Sequence, residues 1–398
     1  MREVAIIGVG MHRFGKFLDK SLKDLSHEAV WNAIEDANIQ LSDIETAYVG
    51  CGLAGLITNQ EGVRGQVILR HAGFSEIPIV NVEGACASGT IALREAMIAV
   101  GAGLYDVALC LGVEKLFCND TARSAGALAT DTDVETMGGL GFTFVAKYAM
   151  DMRKCMEKYG WTQEDFAKVS SKNKYNGSLN PYAQYRKPMS VDEILNSRMV
   201  AYPLTLYMCS SMADGAAAAI VCAKEIARKF TSKPLVTISA CEMRCIHIPD
   251  PKEMAAGSID FGAYEIPAKA AYEKAGVGPE DIDVAEVHDA MSPAEMRSYV
   301  ACGFCKGEDV PKWLEEERTS LNGALPVNTG GGLAARGHPV GATGLAQIAE
   351  LTWQLRGEAG HRQVSGKRGE GPNVALAQNG GGFIEGEPAV TMVTILTK

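Results

Sequence analysis

Ile77-Pro78-Ile79-Val80-Asn81-Val82-Glu83-Gly84-Ala85-Cys86-Ala87-Ser88-Gly89-Thr90 reads as an apolar strand, a loop of small residues and the start of a helix. The helix continues through Ala92-Leu93-Arg94-Glu95-Ala96-Met97. Cys86 therefore stands at a strand-to-helix turn, near a helix N-terminus, where unpaired N–H groups and the helix dipole favour thiolate over thiol. Its small neighbours leave room for a substrate carbonyl and free backbone N–H groups to bind an oxyanion. This is the pattern of a nucleophile in acyl transfer. Packing is the plainer reading, since free cysteine is among the most often buried residues and the chain has 11.

Outward from this loop, the chain repeats itself. An amphipathic helix at 29–37 leads through 38–45 into the strand Thr46-Ala47-Tyr48-Val49. A second helix at 267–275 leads through 276–283 into Val284-Ala285-Glu286-Val287. Ala37 and Ala275, at the ends of these helices, lie 238 residues apart. The Cys86 loop also has a counterpart, Asn328-Thr329-Gly330-Gly331-Gly332-Leu333-Ala334-Ala335-Arg336-Gly337-His338. Strands alternating with helices predict an α/β fold with parallel sheets covered on both faces. The duplication predicts two related halves meeting at a pseudo-twofold interface, with ligands beyond the carboxyl ends of the strands.

Between Phe117 and about Met208 the pattern changes. The expected organisation is a first half from 1–117 plus 209–232, an inserted loop region at 118–208 and a second half at 233–398. The insertion carries an acidic stretch (Thr130-Asp131-Thr132-Asp133-Val134-Glu135), a helical run over 142–159 and a polar segment with several tyrosines. It reads equally as a lid or cofactor-binding excursion and as solvated surface.

Composition narrows the class. The chain has 398 residues, 47% of them hydrophobic, and 43 glycines, which suits a tightly packed α/β protein of two or more domains. A net charge of −10 argues against nucleic acid as a partner. No apolar run is long enough for a membrane span. The first residues enter a strand at once, leaving no room for a signal peptide, and the last are not a peroxisomal address. Eleven cysteines without a secretory segment predict reduced thiols in a cytoplasm. The spacings Cys241/Cys245 and Cys302/Cys305 could make a four-sulfur zinc site, but Cys241 directly follows an apolar strand, and no metal is expected.

Three further segments carry chemistry. His338, followed by Pro339, stands at a loop entering a helix; the proline biases it away from the helical region and helps fix its orientation. Across the half-to-half interface it would face Cys86, able to take the thiol proton and return it to a thioester. His288-Asp289 follows the strand at 284–287; the alternative is a satisfied histidine whose aspartate caps the next helix. Leu376-Ala377-Gln378-Asn379-Gly380-Gly381-Gly382-Phe383 reads as a glycine turn after a strand, supplying oxyanion N–H groups or simply a tight turn.

Taken together, the Cys86 loop, His288-Asp289-Ala290-Met291, Gly337-His338-Pro339, Gly380-Gly381-Gly382 and Met212-Ala213-Asp214-Gly215-Ala216-Ala217-Ala218 resemble the thiolase superfamily, over essentially the full chain. The likeness is closest to the sterol-carrier-type and archaeal/bacterial thiolases. It implies two duplicated βαβαβαββ-type halves in a layered α-β-α-β-α arrangement. It also implies roles: Cys86 carries the acyl group, His338 activates it, and His288 with His338 binds the thioester oxygen. Backbone N–H groups of Cys86 and Gly380 or Gly381 hold the oxyanion, with Asp289 and Asn379 as acid/base support. Coenzyme A enters as substrate along the insertion, with no tightly bound cofactor. The implied partners are a second copy of the chain and a small zinc-ribbon/OB-fold protein.

One departure changes the expected reaction. The family carries a second cysteine in the terminal glycine turn or directly after the histidine-aspartate pair, as acid/base at the substrate α-carbon. Here those places hold Gln378-Asn379-Gly380 and Ala290. Thiolytic cleavage of a larger, branched, aromatic or dicarboxylic 3-oxoacyl-CoA is therefore the expected activity. Retro-aldol cleavage of an acyl-CoA side chain, condensation by an acetyl-CoA C-acetyltransferase and a non-catalytic acyl-CoA-binding subunit stand as rivals; an intact Cys86 loop speaks against the last.

Overall fold

The structure, a computed structural model, describes residues 1–141, 143–250, 252 and 259–398. Its strands are β1 (Val4–Met11), β2 (Thr46–Gly50), β3 (Ile79–Val82), β4 (Val107–Glu114), β5 (Met199–Ala201), β6 (Leu204–Thr205), β7 (Gly215–Ala223), β8 (Val236–Cys245), β9 (Val284–Glu286), β10 (Val374–Ile384) and β11 (Glu387–Thr397). Residues alternate between faces along a strand. In β1 this sends Val4 and Ile6 into one apolar core and Ala5 and Ile7 into another, and a register shift between Ile6 and Gly8 returns Val9 to the first. A sheet apolar on both faces needs a helix layer on each side.

Nine strands form one sheet in the order β3-β2-β4-β7-β1-β8-β11-β10-β9, and β5 and β6 pair separately. The order is symmetric about the β1–β8 junction. The first half contributes β3-β2-β4-β7-β1 and the second mirrors it, with a single parallel bridge from Ala285 to Val327 where β3 would recur. The junction itself is narrow, recorded at Ala5–Thr237 and Ile6–Val236.

The expectation of parallel sheets is corrected. Only β2–β3, β2–β4 and β9–β10 run parallel; the other neighbours are antiparallel. The cause is local in the second half, where β10 turns directly into β11 through Glu385 and Gly386, both at positive φ. A two-residue connection can only return the chain antiparallel.

Five layers result. The helix Leu22–Ala37 covers the outer face of the first-half strands through Leu25, Ala29 and Ala33, and Gly262–Ala275 covers the second through Ala268, Ala271 and Tyr272. Between the halves lie the helices Ser88–Gly101 and Thr343–Arg356, whose Leu93, Met97, Leu345 and Ile348 share one core with strands of both halves. This is the α-β-α-β-α arrangement.

These central helices enter head to head only because glycine opens their first turns. A Cβ at Gly89 would lie 2.7 Å from the Gly341 carbonyl oxygen, and one at Gly344 only 1.9 Å from Thr90 Oγ1. The segment between β4 and β7 packs onto the second half. Its helix Gln163–Ser178 buries Phe166 and Val169 there, and Asn173 Nδ2 donates to Asp289 (3.0 Å) and Glu295 (2.7 Å). The helix expected over 142–159 runs Phe144–Tyr159, capped by Thr143; Phe142 lies outside the described residues.

Candidate active site

β3 ends at Val82, and the chain then makes a tight turn into the helix Ser88–Gly101. Ala85 takes φ 49°, an uncommon conformation for a side-chain-bearing residue. Ser88 pins the turn: its hydroxyl accepts from the Gly84 N–H at 3.0 Å and donates to the Ala85 carbonyl at 2.7 Å. Cys86 is thereby turned towards the second half.

There His338 Nε2 lies 3.2 Å from Cys86 Sγ. Thr343, in the first turn of the other central helix, donates its hydroxyl to the Pro339 carbonyl (3.0 Å) and so accepts from His338 Nδ1 (2.7 Å). This network assigns the ring proton to Nδ1 and leaves Nε2 free to receive the thiol proton. Beneath the pair, the buried Glu114 carboxylate accepts from the N–H groups of Gly52 (3.1 Å), Leu53 (3.2 Å) and Gly341 (3.0 Å), tying the His338 loop to the first half.

His288 follows β9, with its ring centroid 5.2 Å from that of His338 in an edge-to-face arrangement. Asn379 Oδ1 faces the Thr90 hydroxyl at 3.5 Å, which turns its Nδ2 to donate to His288 Nδ1 at 3.2 Å. His288 then carries its proton on Nε2 and serves as a donor.

The glycine run is not a turn after a strand, as expected, but lies inside β10, where pairing with β11 continues to Ile384. The strand can continue because only Gly382 leaves the regular conformation, at φ +60°. Gly380 and Gly381 line the cavity and stay paired with Thr391 and Val390. Gly382 directs its backbone N–H at the Cys86 sulfur instead. Asp289 does not join the cavity lining; its Oδ1 accepts from the Leu333 N–H at 2.7 Å and its Oδ2 from Asn173. It caps the short helix Gly332–Arg336 and orders the loop leading to His338.

The electrostatics correct the expectation of a resting thiolate. Burial, followed by the nearby Asp131 and Glu114, pushes the Cys86 thiol well above its ordinary range despite the helix N-terminus. Burial, then His288 and Arg336, holds His338 well below 6.5, and burial with Arg336 brings His288 down to about 4. At neutral pH the pair is a thiol and a neutral imidazole. Sulfur can attack only as its proton crosses the 3.2 Å to His338, so activation belongs to the encounter with substrate.

The pair lines a cavity of about 200 Å³. Its walls include Leu116, Leu128, Phe144, Tyr148, Met291 and Phe383, with Asp131 also on the wall. Among the described residues, Cys86, His288 and His338 are the one set of such side chains close enough to share a metal ion. The spacings Cys241/Cys245 and Cys302/Cys305 do not converge. Sequence reasoning quoted Gly382 within the glycine run but singled out Gly380 and Gly381, and it missed Thr343, Thr90 and Asp131. The hydroxyls carry no signal outside the fold, whereas Asp131 stood in a conspicuous acidic run.

A duplicated α/β fold with a cysteine-histidine pair where its central helices meet defines an acyl-transfer enzyme. The sequence matches "Thiolase, N-terminal domain" over residues 4–225 and "Thiolase C-terminal domain-like" over 253–396. It is 42% identical to an acetyl-CoA acetyltransferase of Methanothermobacter thermautotrophicus, covering 96% of this chain and 97% of that protein. It is 36% identical to benzoylsuccinyl-CoA thiolase subunit BbsB of Thauera aromatica, covering 96% and 95%. Among solved structures, the one described as "Ltp2-ChsH2(DUF35) aldolase" superposes with a TM-score of 0.78 at 23% identity, covering 98% of this chain and 97% of that one. The chain belongs to the thiolase family and is an acyltransferase.

Proposed function

We propose that the protein is a thiolase that cleaves a 3-oxoacyl-CoA with coenzyme A through an acyl-Cys86 intermediate, in the degradative direction. The observation that carries this is the 3.2 Å contact between Cys86 Sγ and an unprotonated His338 Nε2, with the Gly382 N–H aimed at the same sulfur. Cys86 attacks the 3-oxo carbon, His338 takes the thiol proton, and the N–H groups of Cys86 and Gly382 stabilise the oxyanion. His288, donating from Nε2, binds the thioester oxygen of the leaving acyl-CoA. Walls bearing Phe144, Tyr148, Tyr264 and Phe383 suit an aromatic or otherwise bulky acyl group over an acetyl group, and a benzoylsuccinyl-CoA thiolase subunit is among the relatives. The 42% identity to an acetyl-CoA acetyltransferase favours a second reading, condensation of two acetyl-CoA molecules.

Coenzyme A would lie across the 118–208 insertion as substrate, with no tightly bound cofactor. The unpaired edge of β3, where Val80 is 42% exposed, supports a homodimer. The fold likeness to an aldolase assembled with a DUF35 protein supports a small zinc-ribbon/OB-fold partner. Eleven unpaired cysteines support a cytoplasmic location. No helix among the described residues is long and apolar enough to cross a membrane. Replacing Cys86 with Ala should remove cleavage of a 3-oxoacyl-CoA by at least about a thousandfold, as loss of a covalent nucleophile does. Unchanged turnover in steady-state assays would refute the reading.

A further inference from the structure

Breaking or making a carbon–carbon bond next to a thioester needs a group that moves a proton at the α-carbon. The titratable side chains lining the cavity are Cys86, Asp131, Tyr148, Tyr264, His288 and His338. Cys86 and His338 serve each other at 3.2 Å, and His288 is locked as a donor by Asn379. Burial raises both tyrosines above their ordinary range, so neither accepts or gives a proton readily near neutrality.

Asp131 remains. It stands on the cavity wall, and its Oδ2 is buried without a hydrogen-bond partner. Buried carboxylate oxygens are normally satisfied, so one left bare in a substrate cavity points to a functional constraint. Its main chain is fixed to the strand that serves Cys86, because the Asp131 carbonyl accepts from the Phe383 N–H at 2.9 Å, one residue after Gly382. Burial, with Glu114 and Glu83 nearby, lifts its carboxyl to about 8, so both protonation states are available at neutral pH.

We propose that Asp131 is the acid/base that exchanges the α-carbon proton, in the place left by the missing second thiol. This deepens the acyl-transfer reading and rests on it. In the first step Cys86 sulfur bonds to the 3-oxo carbon and passes its proton to His338. The bond between the α-carbon and the 3-oxo carbon breaks, its electron pair stays with the departing acyl-CoA as an enolate, and the Asp131 carboxylic acid protonates that carbon. In the second step coenzyme A gives its thiol proton to solvent and attacks acyl-Cys86 as thiolate, while the Asp131 carboxylate takes a proton back from solvent, so that acylation and deacylation themselves do not use Asp131. Cys86 leaves as thiolate and recovers its proton from His338.

The test separates the two kinds of chemistry. Full-length wild type, Asp131→Asn and Asp131→Cys are each given benzoyl-CoA, which acylates Cys86 without any α-carbon step, and acylation is read by intact-protein mass spectrometry. Thiolysis of a 3-oxoacyl-CoA and enzyme-catalysed deuterium exchange at the α-carbon of acetyl-CoA are measured alongside. The expected result is acylation within about threefold of wild type for Asp131→Asn, with cleavage and exchange down at least a hundredfold and partly restored in Asp131→Cys. Cleavage and exchange near wild type in either Asp131→Asn or a folded Asp131→Ala would overturn the assignment, as would loss of acylation in parallel with cleavage. A wild-type enzyme that cleaves but never acylates Cys86 would instead overturn the acyl-transfer reading itself, and this inference with it.

Discussion

Cys86 is held by two competing influences, and their ranking decides its chemistry. The helix N-terminus and the Gly382 N–H favour thiolate, worth about 0.3–2 kcal/mol for the dipole. Burial beside two carboxylates outweighs them, and the thiol stays protonated. Alkylation of free Cys86 by iodoacetamide should accordingly be slow at pH 7–8 and still rising above pH 9, read on the Cys86 peptide by mass spectrometry with the exposed Cys245 as comparison. A rate that levels off by pH 7 would show a preformed thiolate. At this scale the sequence was legible where residue type and loop context coincide, as for Cys86 and His338. It was silent on Thr343, and it marked the glycine run without showing which of its N–H groups meets Cys86, because only the fold aims that hydroxyl and that N–H.

Among the elements, the two central helices carry the site. Each ends a loop bearing one member of the pair, and their first turns touch through Gly89, Thr90, Gly341 and Gly344. Thr90 also faces Asn379, so pressure there reaches His288. Replacing Gly344 with Ala puts a methyl group 1.9 Å from Thr90 Oγ1 and 2.9 Å from its backbone nitrogen. Overpacking of this kind costs about 1–3 kcal/mol. Urea unfolding should show that loss together with a slower acylation step, whereas unchanged stability would mean the helices can separate freely. The repeated helix-loop-strand units were readable from periodicity. The parallel expectation failed because strand direction depends on connections, and the Glu385-Gly386 turn reverses the chain at once.

Over the whole molecule, duplication explains why the site lies where it does. The mirrored strand order brings equivalent loops of the two halves together at their junction, one bearing Cys86 and the other His338. The inserted segment adds the cavity wall and Asp131, and fastens itself to the second half through Asn173, Asp289 and Glu295. That attachment was not visible in composition, because buried amides and carboxylates look like surface residues until their partners are known. The acyl-enzyme is the most direct test of this arrangement. Mixing the protein with a bulky 3-oxoacyl-CoA in the absence of free coenzyme A, followed by intact-protein and peptide mass spectrometry, should show one acyl increment located on Cys86. Cleavage of the same substrate with no increment on Cys86 at any time point would contradict the account.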